Sequence, residues 1–179
     1  ANTSIVEIAS SPNLDSNYVV KMMGAGYVTF NYITIDGSTG GSYGTVVSFD
    51  NAENCSVSMC TINGINTTST SNTLYTVNGT GGMDNSFLNN DVSGGSYAMY
   101  WSGGENLTVE QSTFTDPYYY GVYITGVEML MFNGNTLAAQ SSYQYGYGLY
   151  LNDINGASEV VGNYLNWPGY SGAYFQSIN

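Results

Sequence analysis

Short runs of alternating apolar and polar residues recur along the chain. Each run spans eight residues, and its third and eighth positions are apolar in every copy. The runs are VTFNYITI (28–35), CSVSMCTI (55–62), NSFLNNDV (85–92), LTVEQSTF (107–114), LMFNGNTL (130–137) and SEVVGNYL (158–165). Such runs predict short β-strands that bury one face. The inward columns are predicted to be Phe30, Val57, Phe87, Val109, Phe132 and Val160, and then Ile35, Ile62, Val92, Phe114, Leu137 and Leu165.

A second short strand follows each run, and another precedes the first run. The strands are VKM (20–22), VVS (46–48), LYT (74–76), MYW (99–101), VYI (122–124), LYL (149–151) and AYF (173–175). Their flanking residues are mostly apolar, so they are predicted to face inward. The predicted third inward column is Val46, Leu74, Met99, Val122, Leu149 and Ala173.

The repeat spacing predicts the fold class. Periods of roughly 20–30 residues, with several short strands and turns rich in Gly, Asn and Ser, are typical of a β-solenoid. The chain lacks the fixed Leu and Asn pattern of leucine-rich repeats, and it has no apolar stripe of helical period. We therefore expect one all-β domain over residues 1–179, a parallel β-helix of about seven rungs without a capping helix.

Polar residues recur at the sixth position of the runs, between the two buried columns. This position holds Ile33, Cys60, Asn90, Ser112, Asn135 and Asn163. A buried amide or hydroxyl needs hydrogen-bond partners, and stacked rungs can supply them along the axis. A ladder interrupted at Ile33 and Cys60 is therefore expected. Cys55 and Cys60 are expected to be small buried thiols, with a disulfide or a metal pair as the alternatives.

The charge composition excludes several classes of partner. The chain has 13 acidic residues and a single cation among its Lys and Arg residues, Lys21, and it has no His. Nucleic acids and anionic membrane surfaces require clustered Lys or Arg, so neither is an expected partner. No apolar run is long enough to insert into a membrane. The many small polar residues and 18 Tyr are typical of an extracellular structural protein.

The sequence resembles a known family of repeat proteins. Residues 16–54, SNYVVKMMGAGYVTFNYITIDGSTGGSYGTVVSFDNAEN, are similar to the right-handed parallel β-helix modules of large secreted proteins of Bacteroidota-type bacteria. The resemblance implies a right-handed solenoid with three sheets per turn. It also implies export by the type IX route, contact with that secretion machinery, and a secreted or cell-surface location.

Many right-handed β-helices degrade polysaccharides, but two of their catalytic signatures are absent here. Pectate lyases use an Arg or Lys base beside acidic calcium ligands, and Lys21 has no acidic cluster near it in sequence. Polygalacturonases combine an Asp trio with His and a basic pair, and this chain has no His and no Asp-Asp dipeptide. The sequence therefore favours a protein without catalytic residues.

Carboxylates near the rung starts leave three interpretations. Glu105 and Glu128 each lie just before a run, and Glu53 occupies the same column further up the chain. They are solvated turn residues, a weak Ca²⁺ site formed by Glu105 and Glu128, or an acid and base pair of a glycosidase. The first interpretation is favoured, so no cofactor is expected.

Tyrosines occupy the middle of the second strands. Tyr75, Tyr100, Tyr123, Tyr150 and Tyr174 are predicted to face outward as a ladder, thickened by Tyr97, Tyr120 and Tyr147. An aromatic strip suits sugar stacking and protein contacts, or it stabilises the sheet alone. The candidate binding site therefore consists of these tyrosines.

The two ends of the chain predict a larger assembly. SIVEIAS opens the chain and GAYFQSIN closes it, and neither resembles a cap. We expect a flanking solenoid or end-to-end self-association, which would give a filament of about 34 Å per subunit at roughly 4.8 Å per rung. The expected function is a non-enzymatic extracellular structural or adhesive module. The alternative is a carbohydrate-active lyase or glycosidase, or a polysaccharide-binding module.

Overall fold

The chain folds into three parallel β-sheets that wind around one core. The computed structural model describes residues 6–139 and 143–179, so residues 1–5 and 140–142 of the predicted domain lie outside the described part. Successive strands pass from sheet A to sheet B to sheet C and back to sheet A. Sheets A and B have seven strands each and sheet C has six, which corresponds to about six turns.

Most of the strands are short. Sheet A consists of β1 (Glu7–Ala9), β4 (Thr34–Asp36), β7 (Thr61–Asn63), β10 (Asp91–Ser93), β13 (Thr113–Thr115), β16 (Thr136–Ala138) and β19 (Tyr164–Asn166). Sheet B consists of β2 (Val20–Met23), β5 (Val47–Asp50), β8 (Tyr75–Thr80), β11 (Tyr97–Ser102), β14 (Tyr120–Thr125), β17 (Tyr147–Ile154) and β20 (Ser171–Ile178). Sheet C consists of β3 (Thr29–Asn31), β6 (Ser56–Ser58), β9 (Ser86–Leu88), β12 (Glu105–Glu110), β15 (Glu128–Asn133) and β18 (Glu159–Val161).

The all-β prediction is confirmed within these residues. No helix occurs in residues 6–139 or 143–179, and a membrane-spanning helix is therefore not found there.

Two of the three predicted inward columns are confirmed by the strand register. In sheet C, Phe132 pairs with Val109 on one side and with Val160 on the other. In sheet A, Ile62 pairs with Ile35 and Val92 in the same way. Side chains in the middle of these stacks are fully buried, so each turn contributes one large apolar group to each column of the core.

The third predicted column is wrong at two positions. Met99 pairs with Val77, and Val77 pairs with Val47. The column therefore contains Val47 and Val77. Val46 lies one residue before Val47, and Leu74 lies three residues before Val77. Both side chains are nevertheless buried, at 0% and 3% exposure, because they pack beside the strand rather than within its paired segment.

Each eight-residue run bends sharply at its fifth residue and so serves two sheets. That residue has a positive φ in all six runs. The residues are Tyr32, Met59, Asn89, Gln111, Gly134 and Gly162, with φ between 51° and 68°. A left-handed residue turns the chain from sheet C to sheet A. The bend explains why both the third and the eighth residue point into the core, which a straight strand would not allow.

The polar sixth position forms the expected ladder. The Asn135 side chain accepts a hydrogen bond from the Ser112 amide at 2.9 Å and donates one to the Val109 carbonyl at 2.9 Å. One rung further, Asn163 accepts from the Asn135 amide at 2.8 Å and donates to the Phe132 carbonyl at 2.8 Å. These side-chain amides supply hydrogen-bond partners to backbone amides and carbonyls at the corner of the preceding rung, where the pairing between strands is interrupted.

The two cysteines are free and buried, as expected. The Cys60 thiol donates to the Ser58 carbonyl at 3.2 Å, and the Cys60 amide donates to the Asn90 side chain at 3.0 Å. Burial raises the pKa of the Cys60 thiol. Both thiols therefore act as small core groups with a local hydrogen bond.

Candidate functional site: the tyrosine face of sheet B

Three strands of sheet B, β11, β14 and β17, each carry two tyrosines whose rings face outward. In β11, Tyr97, Met99 and Tyr100 pair with residues of β14, whereas Ala98 is left out of the pairing. Tyr97 and Tyr100 are an odd number of positions apart and would face opposite ways on a regular strand. The pairing resumes in the same register on the far side of Ala98, so the break is a bend that both strands share, and it brings both rings to the outer surface. The equivalent unpaired positions are Thr76, Gly121, Gly148 and Gly172.

The rings form two parallel ladders, together called the tyrosine face. Ladder 1 contains Tyr75, Tyr100, Tyr123, Tyr150 and Tyr174, and its successive rings stack at centroid distances of 5.0, 5.3, 4.5 and 5.1 Å. Ladder 2 contains Tyr97, Tyr120 and Tyr147, and its rings stack at 5.1 and 5.6 Å. Rings of the two ladders meet edge to face, as Tyr120 and Tyr123 do at 5.4 Å and 87°. Both arrangements are favourable for aromatic quadrupoles.

The predicted ladder is correct in its rings but wrong in the backbone position of one member. Tyr75 pairs with Tyr97, and Tyr100 pairs with Asn78. The backbone column of ladder 1 therefore continues through Asn78, Ser48 and Lys21 rather than through Tyr75. The Tyr75 ring crosses over and stacks on Tyr100 at an interplanar angle of 17°.

Loop tyrosines extend the face sideways toward sheet A. Tyr119 contacts Tyr120 at 4.3 Å and Tyr97 at 5.4 Å. Tyr143 contacts Tyr119 at 5.5 Å and Tyr118 at 6.0 Å. These tyrosines lie in connections that do not follow the repeat, so the sequence pattern does not predict them.

Burial, and to a smaller extent neighbouring phenols, raises the pKa of several tyrosines of the face. Burial, with smaller contributions from Tyr100 and Tyr123, raises the pKa of Tyr75 to about 12. Burial also raises the pKa of Tyr97 and of Tyr120, the latter with a hydrogen bond to Tyr119 as its second cause. The face is therefore an uncharged aromatic surface with hydroxyl groups that can donate and accept hydrogen bonds.

A polar cleft of about 390 Å³ lies beside the loop end of the tyrosine face. Its lining consists mainly of small polar residues, with one carboxylate and one aromatic ring. The lining residues are Gly64, Asn66, Thr67, Thr68, Ser93, Gly94, Asp116 and Tyr118. Tyr118 connects the cleft with the loop tyrosines beside the face, since its ring also contacts Tyr143. No sequence signal identified this cleft.

The candidate carboxylates lie in one column, as expected, but do not form a cluster. Glu105 pairs directly with Glu128 on the next rung. Glu53 is separated from Glu105 by Met83. Among the residues that the structure describes, no group of three or more His, Cys, Asp or Glu side chains could hold a metal ion. The weak Ca²⁺ site at Glu105 and Glu128 stays a prediction.

The single lysine lies at the opposite end of sheet B from the tyrosines. The Lys21 ammonium forms an ion pair with Asp50 at 3.0 Å and lies 5.9 Å from the centre of the Tyr18 ring. Both charged side chains are about one third exposed, so the pair contributes little to stability.

Comparison with known proteins agrees with this architecture. The family described as right-handed beta helix region matches residues 75–166, more than half of the chain. The chain belongs to the right-handed β-helix family. The β-helix is also similar in fold to the Dettilon tailspike protein, with a TM-score of 0.55 and 13% sequence identity. That match covers 87% of this chain and 34% of the tailspike chain, so this β-helix spans about a third of the tailspike's length. No curated protein matches the sequence.

Proposed function

We propose that the chain is a rigid, non-enzymatic module of an extracellular structural or adhesive protein, and that the tyrosine face is its contact surface. The observation that carries this proposal is the double ladder of stacked rings across successive rungs of sheet B. Tyr is apolar in its body and polar at its tip, and few rotamers are lost when it makes a contact. A flat surface of this kind suits adhesion to a broad partner.

The rigidity of the module follows from its construction. Successive rungs are held by parallel pairing in three sheets and by apolar columns, and those from Asn90 to Asn163 also by the polar ladder at the corner. Neighbouring rungs therefore support one another along the axis. A contact surface built on such a scaffold keeps a fixed spacing between its rings.

We also propose that the terminal rungs are covered in the assembled protein by further solenoid, from a flanking segment or another copy. In the last described rung, Val160, Phe175 and Ile178 are 37%, 54% and 47% exposed. With Leu151 and Ile154 they line an open apolar cleft of about 250 Å³. Another rung would bury these side chains and pair the free edge of β20. A secreted or cell-surface location, and export by the type IX route, belong to the same proposal.

A turnover assay tests the non-enzymatic part of the proposal. The protein is incubated with a panel of acidic and neutral polysaccharides, with and without Ca²⁺, and released oligosaccharides are measured. We expect none above the level of the buffer control. Release that disappears in the Glu105→Gln or Glu128→Gln variant would instead support the carbohydrate-active enzyme.

A second candidate function, polysaccharide binding, is favoured by the polar cleft beside the tyrosine face. Sugar rings stack on aromatic faces, and sugar hydroxyls bind amide, hydroxyl and carboxylate groups of the kinds that line the cleft. The same panel, immobilised, tests this candidate through retention of the intact protein. Retention that a Thr68→Tyr variant abolishes by filling the cleft would support it, and retention unaffected by that change would place binding elsewhere.

A further inference from the structure

The closest parallel pair on the tyrosine face has the geometry for a covalent reaction. The rings of Tyr123 and Tyr150 are 4.5 Å apart and only 5° from parallel. Their Cα atoms are paired across β14 and β17, so the sheet fixes the approach of the two side chains. Neither ring is fully buried, so an oxidant in solution can reach the face.

We infer that Tyr123 and Tyr150 form an oxidative cross-linking site, at which a one-electron oxidant of the peroxidase and hydrogen peroxide type joins the two phenols through a carbon–carbon bond. This site goes beyond the proposed contact function, because a covalent bond on the tyrosine face would cross-link two strands of the same solenoid, β14 and β17. The link would tie two successive rungs together.

The reaction balances in atoms and electrons. Each phenol loses one electron and one proton and becomes a phenoxyl radical, whose unpaired electron is shared with the ring carbons next to the hydroxyl-bearing carbon. Two such carbons combine their unpaired electrons in a new bond. Each then releases its hydrogen as a proton, and a proton returns to each phenolic oxygen. Hydrogen peroxide accepts the two electrons and two protons in total and becomes two molecules of water.

Stacking favours this coupling over the edge-to-face contacts, and among the stacked tyrosine pairs this one is the closest and the most nearly parallel. The unpaired electron occupies orbitals perpendicular to the ring, so a new bond forms between ring faces rather than between an edge and a face. Tyr147 contacts Tyr150 at 5.4 Å but at 75°, which turns one ring edge toward the other face. The fixed pair also reacts as an intramolecular one, at an effective concentration far above that of dilute protein.

Accessible tyrosines outside the ladders provide a built-in comparison. Tyr164 is 62% exposed and contacts no other ring in the part of the chain that the structure describes. If exposure alone governed the reaction, exposed tyrosines such as Tyr164 and Tyr27, which is 83% exposed, would couple between molecules and produce dimers. If ring geometry governs it, the main product is a monomer with an internal link.

The test treats dilute protein with peroxidase and a limited amount of hydrogen peroxide, and then analyses digests by mass spectrometry. We expect monomer lighter by two hydrogen atoms, with the link mapped to residues 123 and 150 and an increased Tm. Tyr150→Phe and Tyr123→Phe should each lose this linked peptide while folding normally, since the phenyl ring still stacks. Tyr164→Phe should leave its yield unchanged. Dimers linked through exposed tyrosines such as Tyr27 or Tyr164 as the main product, or an unchanged yield of internally linked monomer in Tyr150→Phe, would overturn the inference.

Discussion

Tyr75 and Tyr100 stack ring on ring at 5.0 Å although their backbones do not pair. Tyr75 pairs with Tyr97, and the partner of Tyr100 on the preceding rung is Asn78. The Tyr75 side chain therefore crosses from its own backbone column to the neighbouring one. Its ring lies next to Tyr100, at the position where Asn78 supplies no aromatic ring. Ladder 1 reaches one rung further than the backbone pattern alone provides, which makes the tyrosine face continuous over five rungs.

The corner amide of Asn135 should be a major source of stability. Its removal in Asn135→Ala leaves the Ser112 amide and the Val109 carbonyl without their side-chain partner in a buried corner. An unsatisfied buried group costs about 1–3 kcal/mol, so the free energy of unfolding should fall by at least that much. Urea unfolding followed by circular dichroism measures the loss. Asn66→Ala, at an exposed loop residue, is the control and should change stability little.

Gly79 should be irreplaceable for packing reasons. A Cβ at this position would overlap the indole ring of Trp101, which is buried and packs on Phe49 at 5.1 Å. Overpacking of a rigid core costs about 1–3 kcal/mol. Gly79→Ala should therefore lower the Tm, whereas Gly41→Ala, where nothing lies within 4 Å of the new methyl group, should not. Equal Tm values for the two variants would contradict the tight packing of this corner.

The tyrosine face should make the protein sensitive to alkali. Burial raises the pKa of Tyr75 from 10.0 to about 12. Between these values the unfolded chain releases the phenolic proton and the folded protein keeps it. This contribution to stability is fully present below pH 10 and is lost as the pH rises through about 12. Urea unfolding across this window should show a falling free energy of unfolding, with a shallower fall in Tyr75→Phe. An identical slope in that variant would argue against burial of the ring.

The repeat could be predicted because the residues of the core columns recur at fixed positions in every run. The third position of each run holds Phe or Val and sets the register of sheet C. The eighth position holds an aliphatic or aromatic residue and sets the register of sheet A. The amide ladder was also predictable, since Asn135 and Asn163 occupy a position between two buried columns. These features depend on local spacing alone.

The register of sheet B could not be predicted in the same way. Tyr75 and Asn78 are spaced like Tyr97 and Tyr100, so the pattern permits two registers. The shared bend at Thr76 and Ala98 also removes the simple alternation of the strand. Adjacent valines at 46 and 47 leave the same ambiguity, and a slip of one residue exchanges the two faces of a strand. The loop tyrosines and the polar cleft arise from connections between rungs, which carry no period.

Retention of matched tyrosine variants on surfaces tests the central claim, that the tyrosine face is the contact surface, most directly. Tyr174 and Tyr164 lie on the same last rung and are 40% and 62% exposed, but only Tyr174 belongs to ladder 1. A Tyr150→Thr/Tyr174→Thr variant and a Tyr164→Thr variant are compared with the unaltered protein on immobilised polysaccharides and extracellular proteins, after circular dichroism confirms that both are folded. We expect the ladder variant to lose most of its retention and the Tyr164→Thr variant to keep it. Equal retention of all three proteins would contradict the claim.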